Sequence, residues 1–104
     1  MVKHISVFFL KEENKEDARL KLLDRLAAVG RQLSEAKAYQ IGPDCMQRPP
    51  KGFSGLPEFG DVLQIIDFPD TAAAERYVRS EVHNSLVTDM DSLIEKVVAM
   101  DIVC

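Results

Sequence analysis

From Val2 to Leu10 the side chains alternate as an extended strand requires. Ile5, Val7 and Phe9 fall on one side, and His4, Ser6 and Phe8 on the other. Both sides are bulky and the second also carries polar groups. Such a strand is expected to be covered on one face and to line something on the other. After a charged connection, Lys11 to Lys15, the spacing of apolar residues changes. Ala18, Leu22, Leu26, Val29 and Leu33 recur every three or four positions, which predicts a helix from Glu16 to about Leu33 with one apolar stripe. Arg19, Lys21, Asp24, Arg25 and Gln32 occupy much of its remaining surface. Asn14 suits the N-cap, and Glu16 and Asp17 suit the positive end of the helix dipole. Gly30, at a cost of about 1 kcal/mol in a helix interior, is expected to loosen the last turn.

The second half repeats this order. Ala36 to Ile41 reads as a strand ended by Gly42-Pro43. A long connection from Gly42 to Gly60 contains Pro43, Pro49, Pro50, Pro57, Gly52 and Gly55, with Phe53 and Phe59 able to pin it down. Connections of this length serve as lids, contact arms or mobile segments, and the sequence leaves these open. Asp61 to Phe68 is the clearest strand, with Val62, Ile66 and Phe68 on one face and Leu63 and Ile65 on the other. Pro69-Asp70 breaks it, and Asp70 or Thr71 caps a helix to about Ser80. A second helical piece runs from about Val82 to Leu93 with Leu86, Val87, Met90 and Leu93 as its stripe. Glu95 to Val103 closes the chain as a strand, Val97, Ala99, Asp101 and Val103 opposing Val98, Met100 and Ile102.

Strand, helix, strand, strand, helix pair, strand is the βαββαβ order of a ferredoxin-like α+β sandwich. It predicts one domain over residues 1–104, with a four-stranded antiparallel sheet and helices on one face. The other face would be bare, yet Leu63 and Ile65 show that it is not polar. A bare apolar sheet several hundred Å² in area is unusual on a monomer. Two such faces closing on each other would make a homodimeric α/β barrel.

Composition narrows the partners. The 104 residues carry a net charge of −4 and no Trp, which leaves no basic surplus for phosphates and no stacking surface, so nucleic acid is not expected. No apolar run approaches the roughly 20 residues of a membrane span, and Met1-Val2-Lys3-His4 leads straight into a strand pattern rather than a signal peptide. The two cysteines, Cys45 and Cys104, stand apart from each other and from any Cys/His cluster. They support neither a metal site nor a disulfide framework, and the expectation is a cytoplasmic protein without metal or cofactor.

Three segments carry a family resemblance. Val2-Lys3-His4-Ile5 followed by Val7-Phe8-Phe9-Leu10-Lys11 resembles the opening strand of the stress-responsive A/B barrel (Dabb) family. Ala74-Glu75-Arg76-Tyr77 with His83 beyond it resembles the family's second helix and the turn after it, and Val97-Val98-Ala99-Met100-Asp101 resembles its final strand. With the element order, the resemblance spans essentially the whole chain. It departs where the family often has His-Pro-x-His: this chain has Ser80-Glu81-Val82-His83, which keeps only the last His. The resemblance implies a dimeric α+β barrel whose members mostly have no established reaction. A plant member closes a linear polyketide by aldol condensation, and by motif position its site residues correspond to His83, Tyr77 and His4 here.

That set makes chemical sense. Aldol closure needs a base for a proton α to a carbonyl, which suits a His, and a donor toward the developing oxyanion, which suits a Tyr. Each residue also has a structural reading: His83 as a helix cap or backbone partner, His4 as a satisfied strand histidine, Tyr77 as core. Asp67 and Asp101 read as a solvated edge or a dimer rim. Two functions therefore stand side by side. One is a homodimer binding a small hydrophobic or aromatic molecule between sheet and helices. The other is a cofactor-free enzyme, a polyketide cyclase or monooxygenase-like relative, using His83 and Tyr77.

Overall fold

The computed structural model describes residues 1–46 and 58–104. The middle of the Gly42 to Gly60 connection, Phe53 included, lies outside the described residues. The elements are β1 (Val2–Leu10), α1 (Lys15–Arg31), β2 (Ala38–Pro43), β3 (Val62–Phe68), α2 (Thr71–Val78), α3 (Glu81–Met90) and β4 (Ile94–Val103). The sheet order is β2-β3-β1-β4, with every neighbouring pair antiparallel. This is the ferredoxin-like arrangement.

Alternation decides which residues meet the helices. In β1 these are Val2, His4, Ser6, Phe8 and Leu10, all buried. In β3 they are Val62, Gln64, Ile66 and Phe68. The stripe of α1 lies on this surface: Ala18, Leu22, Leu26 and Val29 are buried, and Leu33 packs against them from beyond the helix end. From α2 come Ala73, Ala74 and Tyr77, and from α3 Leu86. Met90 and Leu93 sit at the margin of the core, whereas Val87 is exposed and leaves the expected stripe. Asn14 stands before α1 in a left-handed conformation, but its side chain makes no capping bond.

Helix α1 ends one residue after Gly30, short of Leu33, and the missing side chain of Gly30 has a packing role. The Tyr39 ring lies against it so closely that an added Cβ would stand 2.5 Å from two ring carbons. Tyr39 is held there because its hydroxyl donates to the Leu26 carbonyl at 2.6 Å and accepts from the Gln64 amide at 3.0 Å. Strand β2 begins at Ala38, two residues later than the pattern suggested, and its register on β3 sets Tyr39 opposite Ile66 on the helix side.

The opposite face has no helical cover. Ile5, Val7, Phe9, Leu63, Ile65, Val98, Met100 and Ile102 project from it, with Met100 64% exposed. The Lys3–Asp67 ion pair, 2.7 Å, lies on the same side. Strand β4 is exposed along almost its whole length, on both faces.

Gly30→Ala should destabilise the protein. The gain in helix propensity is about 1 kcal/mol. Against it stand overpacking of about 1–3 kcal/mol and the displacement of a ring tied by two hydrogen bonds. Urea unfolding should show a net loss of about 1–2 kcal/mol, and a stabilised variant would mean that Tyr39 moves freely.

Candidate functional site

The antiparallel register of β1 and β4 sets His4 opposite Asp101, both on the helix side. His4 Nδ1 lies 2.6 Å from Asp101 Oδ1. A carboxylate accepts and does not donate, so Nδ1–H donates to Asp101 and the other ring nitrogen, Nε2, faces the opposite way. There it meets the Ser6 hydroxyl at 3.3 Å. Ser6 follows His4 by two residues, so both share the buried side of one strand. Asp101 is the outer member of the chain: its side chain is 49% exposed while that of His4 is 7% exposed. A groove of about 440 Å³ opens beside it between α2 and β4, lined by Val2, Ala74, Val78, Arg79, Asp101 and Val103 among others. Neither Tyr77 nor His83 reaches that groove.

Tyr77 is the centre of an aromatic group. Its ring lies 5.7 Å from His4 at 71°, 5.2 Å from His83 at 81° and 5.7 Å from Phe68 at 34°. Residues 73, 74 and 77 share one side of α2, so the cap that starts this helix also aims Tyr77 inward. That cap is Asp70, whose carboxylate accepts from the Ala73 N–H at 2.8 Å. Ser80 sets the position of His83. Its hydroxyl donates to the Tyr77 carbonyl at 2.6 Å and accepts from the His83 N–H at 3.2 Å, ending one helix and capping the next. The departure from His-Pro-x-His therefore has a local structural role.

His4, Tyr77 and His83 thus come together, but through ring edges. Among the described residues neither the Tyr77 hydroxyl nor His83 Nδ1 has a hydrogen-bond partner, although both atoms are buried. Burial pushes the Tyr77 phenol above its ordinary range; the Gln64 amide is near enough to oppose this, but its hydrogen bond goes to Tyr39 and it has no hydrogen-bond geometry to Tyr77. Burial, and then the neighbouring His4, lower His83, with Asn84 opposing. Tyr39, partly buried where β2 meets α1, is pushed up to about 12, chiefly by desolvation. A neutral imidazole beside a protonated phenol can take a proton from carbon or oxygen and hydrogen-bond an oxyanion.

Sequence reasoning assigned no site role to Asp101, Ser6 or Gln64. Asp101 read as a rim residue, yet it shares the inward side of β4 with Val97 and Ala99. Ser6 and Gln64 are polar interruptions of apolar alternation, and Gln64 is 1% exposed. That interruption was the available signal. Among the described residues no cluster of His, Cys, Asp or Glu is placed to hold a metal ion, and no helix is long and apolar enough to cross a membrane.

This arrangement defines a ferredoxin-like domain with an inward histidine–tyrosine group. The chain belongs to the stress responsive A/B barrel domain family, whose model matches residues 2–104. No curated protein matches it. It is similar to solved structures over nearly its whole length. One is a dimeric ferredoxin-like protein of unknown function from Thermobifida fusca YX, with TM-score 0.76, 16% identity, 99% of this chain and 90% of that one covered. Another is a Dabb family protein with a ferredoxin-like fold from Mesorhizobium loti, with TM-score 0.75, 21% identity and coverage of 99% and 95%. A third is an antibiotic biosynthesis monooxygenase, with TM-score 0.67, 28% identity and both chains covered completely.

The lowered His83 pKa has a sign that can be tested. Folding disfavours its cation, so the unfolded chain binds more protons in the window below the ordinary value of 6.5. Stability should therefore fall as pH drops through that window. His83→Gln is expected to flatten this acid limb in urea unfolding between about pH 5 and 7. An unchanged limb would assign the pH dependence to other groups.

Proposed function

We propose that this domain works as a homodimer that holds a small, largely apolar molecule between its sheet and helices, with Tyr77 and His83 facing the polar end of that ligand. The observation that carries the reading is the pair of buried, unpartnered polar atoms, Tyr77 Oη and His83 Nδ1. Leaving such a group without a partner costs about 1–3 kcal/mol. Two of them in adjacent rings are best explained by an occupant that supplies the missing bonds. The Phe68 ring beside Tyr77 and Ile66 opposite His4 suit a hydrophobic or aromatic body, and neutral side chains at its polar end suit an uncharged oxygen.

A second reading has its own support. A histidine kept neutral by burial beside a phenol is equipped for cofactor-free proton transfer, as in a cyclase or a monooxygenase-like enzyme. The likeness to an antibiotic biosynthesis monooxygenase is compatible with this. The homodimer is supported by the uncovered apolar face and by relatives that are dimeric, among them the protein from Thermobifida fusca.

Two measurements test these readings. His83→Ala should fold with nearly unchanged thermal stability and bind aromatic probes at least about tenfold more weakly in an NMR-detected fragment screen. A large drop in melting temperature with unchanged binding would make His83 structural. Sedimentation at micromolar concentration should give a dimer, and Met100→Glu, placed in the open sheet face, should give a monomer that retains its circular dichroism. A wild-type chain that sediments only as a monomer would end the dimer proposal.

A further inference from the structure

Ser6, His4 and Asp101 form a bonded series that a ligand-holding role does not require. The hydroxyl lies 3.3 Å from His4 Nε2, and His4 Nδ1 lies 2.6 Å from Asp101 Oδ1. Ser6 is 5% exposed and His4 6%. The carboxylate fixes the tautomer so that the basic nitrogen faces the serine, the relation by which a histidine activates a hydroxyl. The Tyr77 ring stands 5.7 Å from His4 and its hydroxyl is unpartnered. It is a buried donor carried on the helix that covers this side of the sheet, and the proposal gives it the oxyanion.

We propose that Ser6 is a nucleophile activated by His4 and Asp101, and that the domain transfers acyl groups from small uncharged esters. The proposal rests on the reading that a ligand enters between sheet and helices. Ser6 Oγ bonds to the ester carbonyl carbon while its proton passes to His4 Nε2. Asp101 stabilises the resulting imidazolium, and the Tyr77 hydroxyl hydrogen-bonds the oxyanion. The carbon–alkoxide bond then breaks, and the alkoxide departs with the proton from His4, leaving an acyl-serine. Water repeats the sequence: it gives a proton to His4, attacks the acyl carbon and releases a carboxylic acid, and the proton returns to Ser6. Ser6 is buried, with Gln64 opposite it and Ile66 opposite His4 in the sheet, which restricts the acyl part to a short, uncharged group.

The test uses the full chain and p-nitrophenyl acetate as probe. Wild type should release p-nitrophenolate in a burst, and mass spectrometry of digested protein should place an acetyl group on the peptide containing Ser6. Ser6→Ala should lose that acetyl group and the burst with it, leaving nitrophenolate release about a hundredfold slower than wild-type acylation or less. Asp101→Asn should slow acylation about tenfold or more and move its pH profile, which a purely structural Asp101 would not do. Ser6→Cys keeps a nucleophile at the same place and should still be acetylated, so a folding defect in Ser6→Ala cannot decide the outcome. Acetylation confined to lysines, tyrosines or the N-terminus would overturn the proposal, as would an unchanged burst in Ser6→Ala. The unreactive ether p-nitrophenetole separates this proposal from the one beneath it. Binding near Tyr77 and His83 without acylation of Ser6 by the ester overturns the nucleophile alone. No binding and no acylation overturns the ligand site as well.

Discussion

An imidazole buried beneath a layer of helices must find a partner for each of its nitrogens, and the sheet is organised around that requirement. The register of β1 on β4 supplies a carboxylate for one nitrogen of His4, and the two-residue repeat of β1 supplies a hydroxyl for the other. On the far half of the sheet Gln64 meets the same demand, since its amide is bonded to Tyr39 and Tyr39 is bonded to α1. The hydrogen bonds of Tyr39 also settle the orientation of Gln64. The single Tyr39 proton is committed to Leu26, so the glutamine must present its NH₂ group. Polar groups thus run across the helix-facing surface from β4 to β2, embedded in aliphatic side chains. Against this background of satisfied groups the two open atoms, on Tyr77 and His83, stand out.

Small residues place the large ones. Gly30 leaves the space into which the Tyr39 ring fits, which brings α1 and β2 together and gives the tyrosine hydroxyl a helix carbonyl to bond. Ser80 joins α2 to α3 with one hydroxyl used in both directions. Neither residue meets a ligand in the proposed site, yet each governs a side chain beside it. Substitutions at such positions would alter the site through geometry while leaving its chemistry intact.

The architecture was legible in the sequence because period carries it. The α1 stripe from Ala18 to Leu33 and the two-sided β3 needed no tertiary information, and element order gave the ferredoxin-like topology. Helix α3 was harder, since Val87 fits the stripe by spacing yet points outward. Of the candidate site, His4, Tyr77 and His83 were picked out by motif position. Asp101 was not, because its value lies in a register partner 97 residues away. Nor were Ser6 and Gln64, because a polar residue in a strand reads as surface until the covered side is known. The direction of that cover was the missing quantity: one reversal would have put Ile5 and Val7 inside and His4 in water.

The two margins of the sheet differ in kind. Strand β2 ends in Gly42 and Pro43, and a proline offers no N–H to a neighbouring strand. Strand β4 runs for ten residues with neither glycine nor proline, and among the described residues nothing pairs with its outer edge. The sheet therefore has one short edge ended by a proline, at β2, and one long uninterrupted edge, at β4. An added strand, whether from a legitimate partner or from an unfolded chain nearby, would find its backbone template at β4. Charged interruptions such as Glu95, Lys96 and Asp101 are the gatekeepers of that margin, and their loss would turn an assembly edge into an aggregation edge.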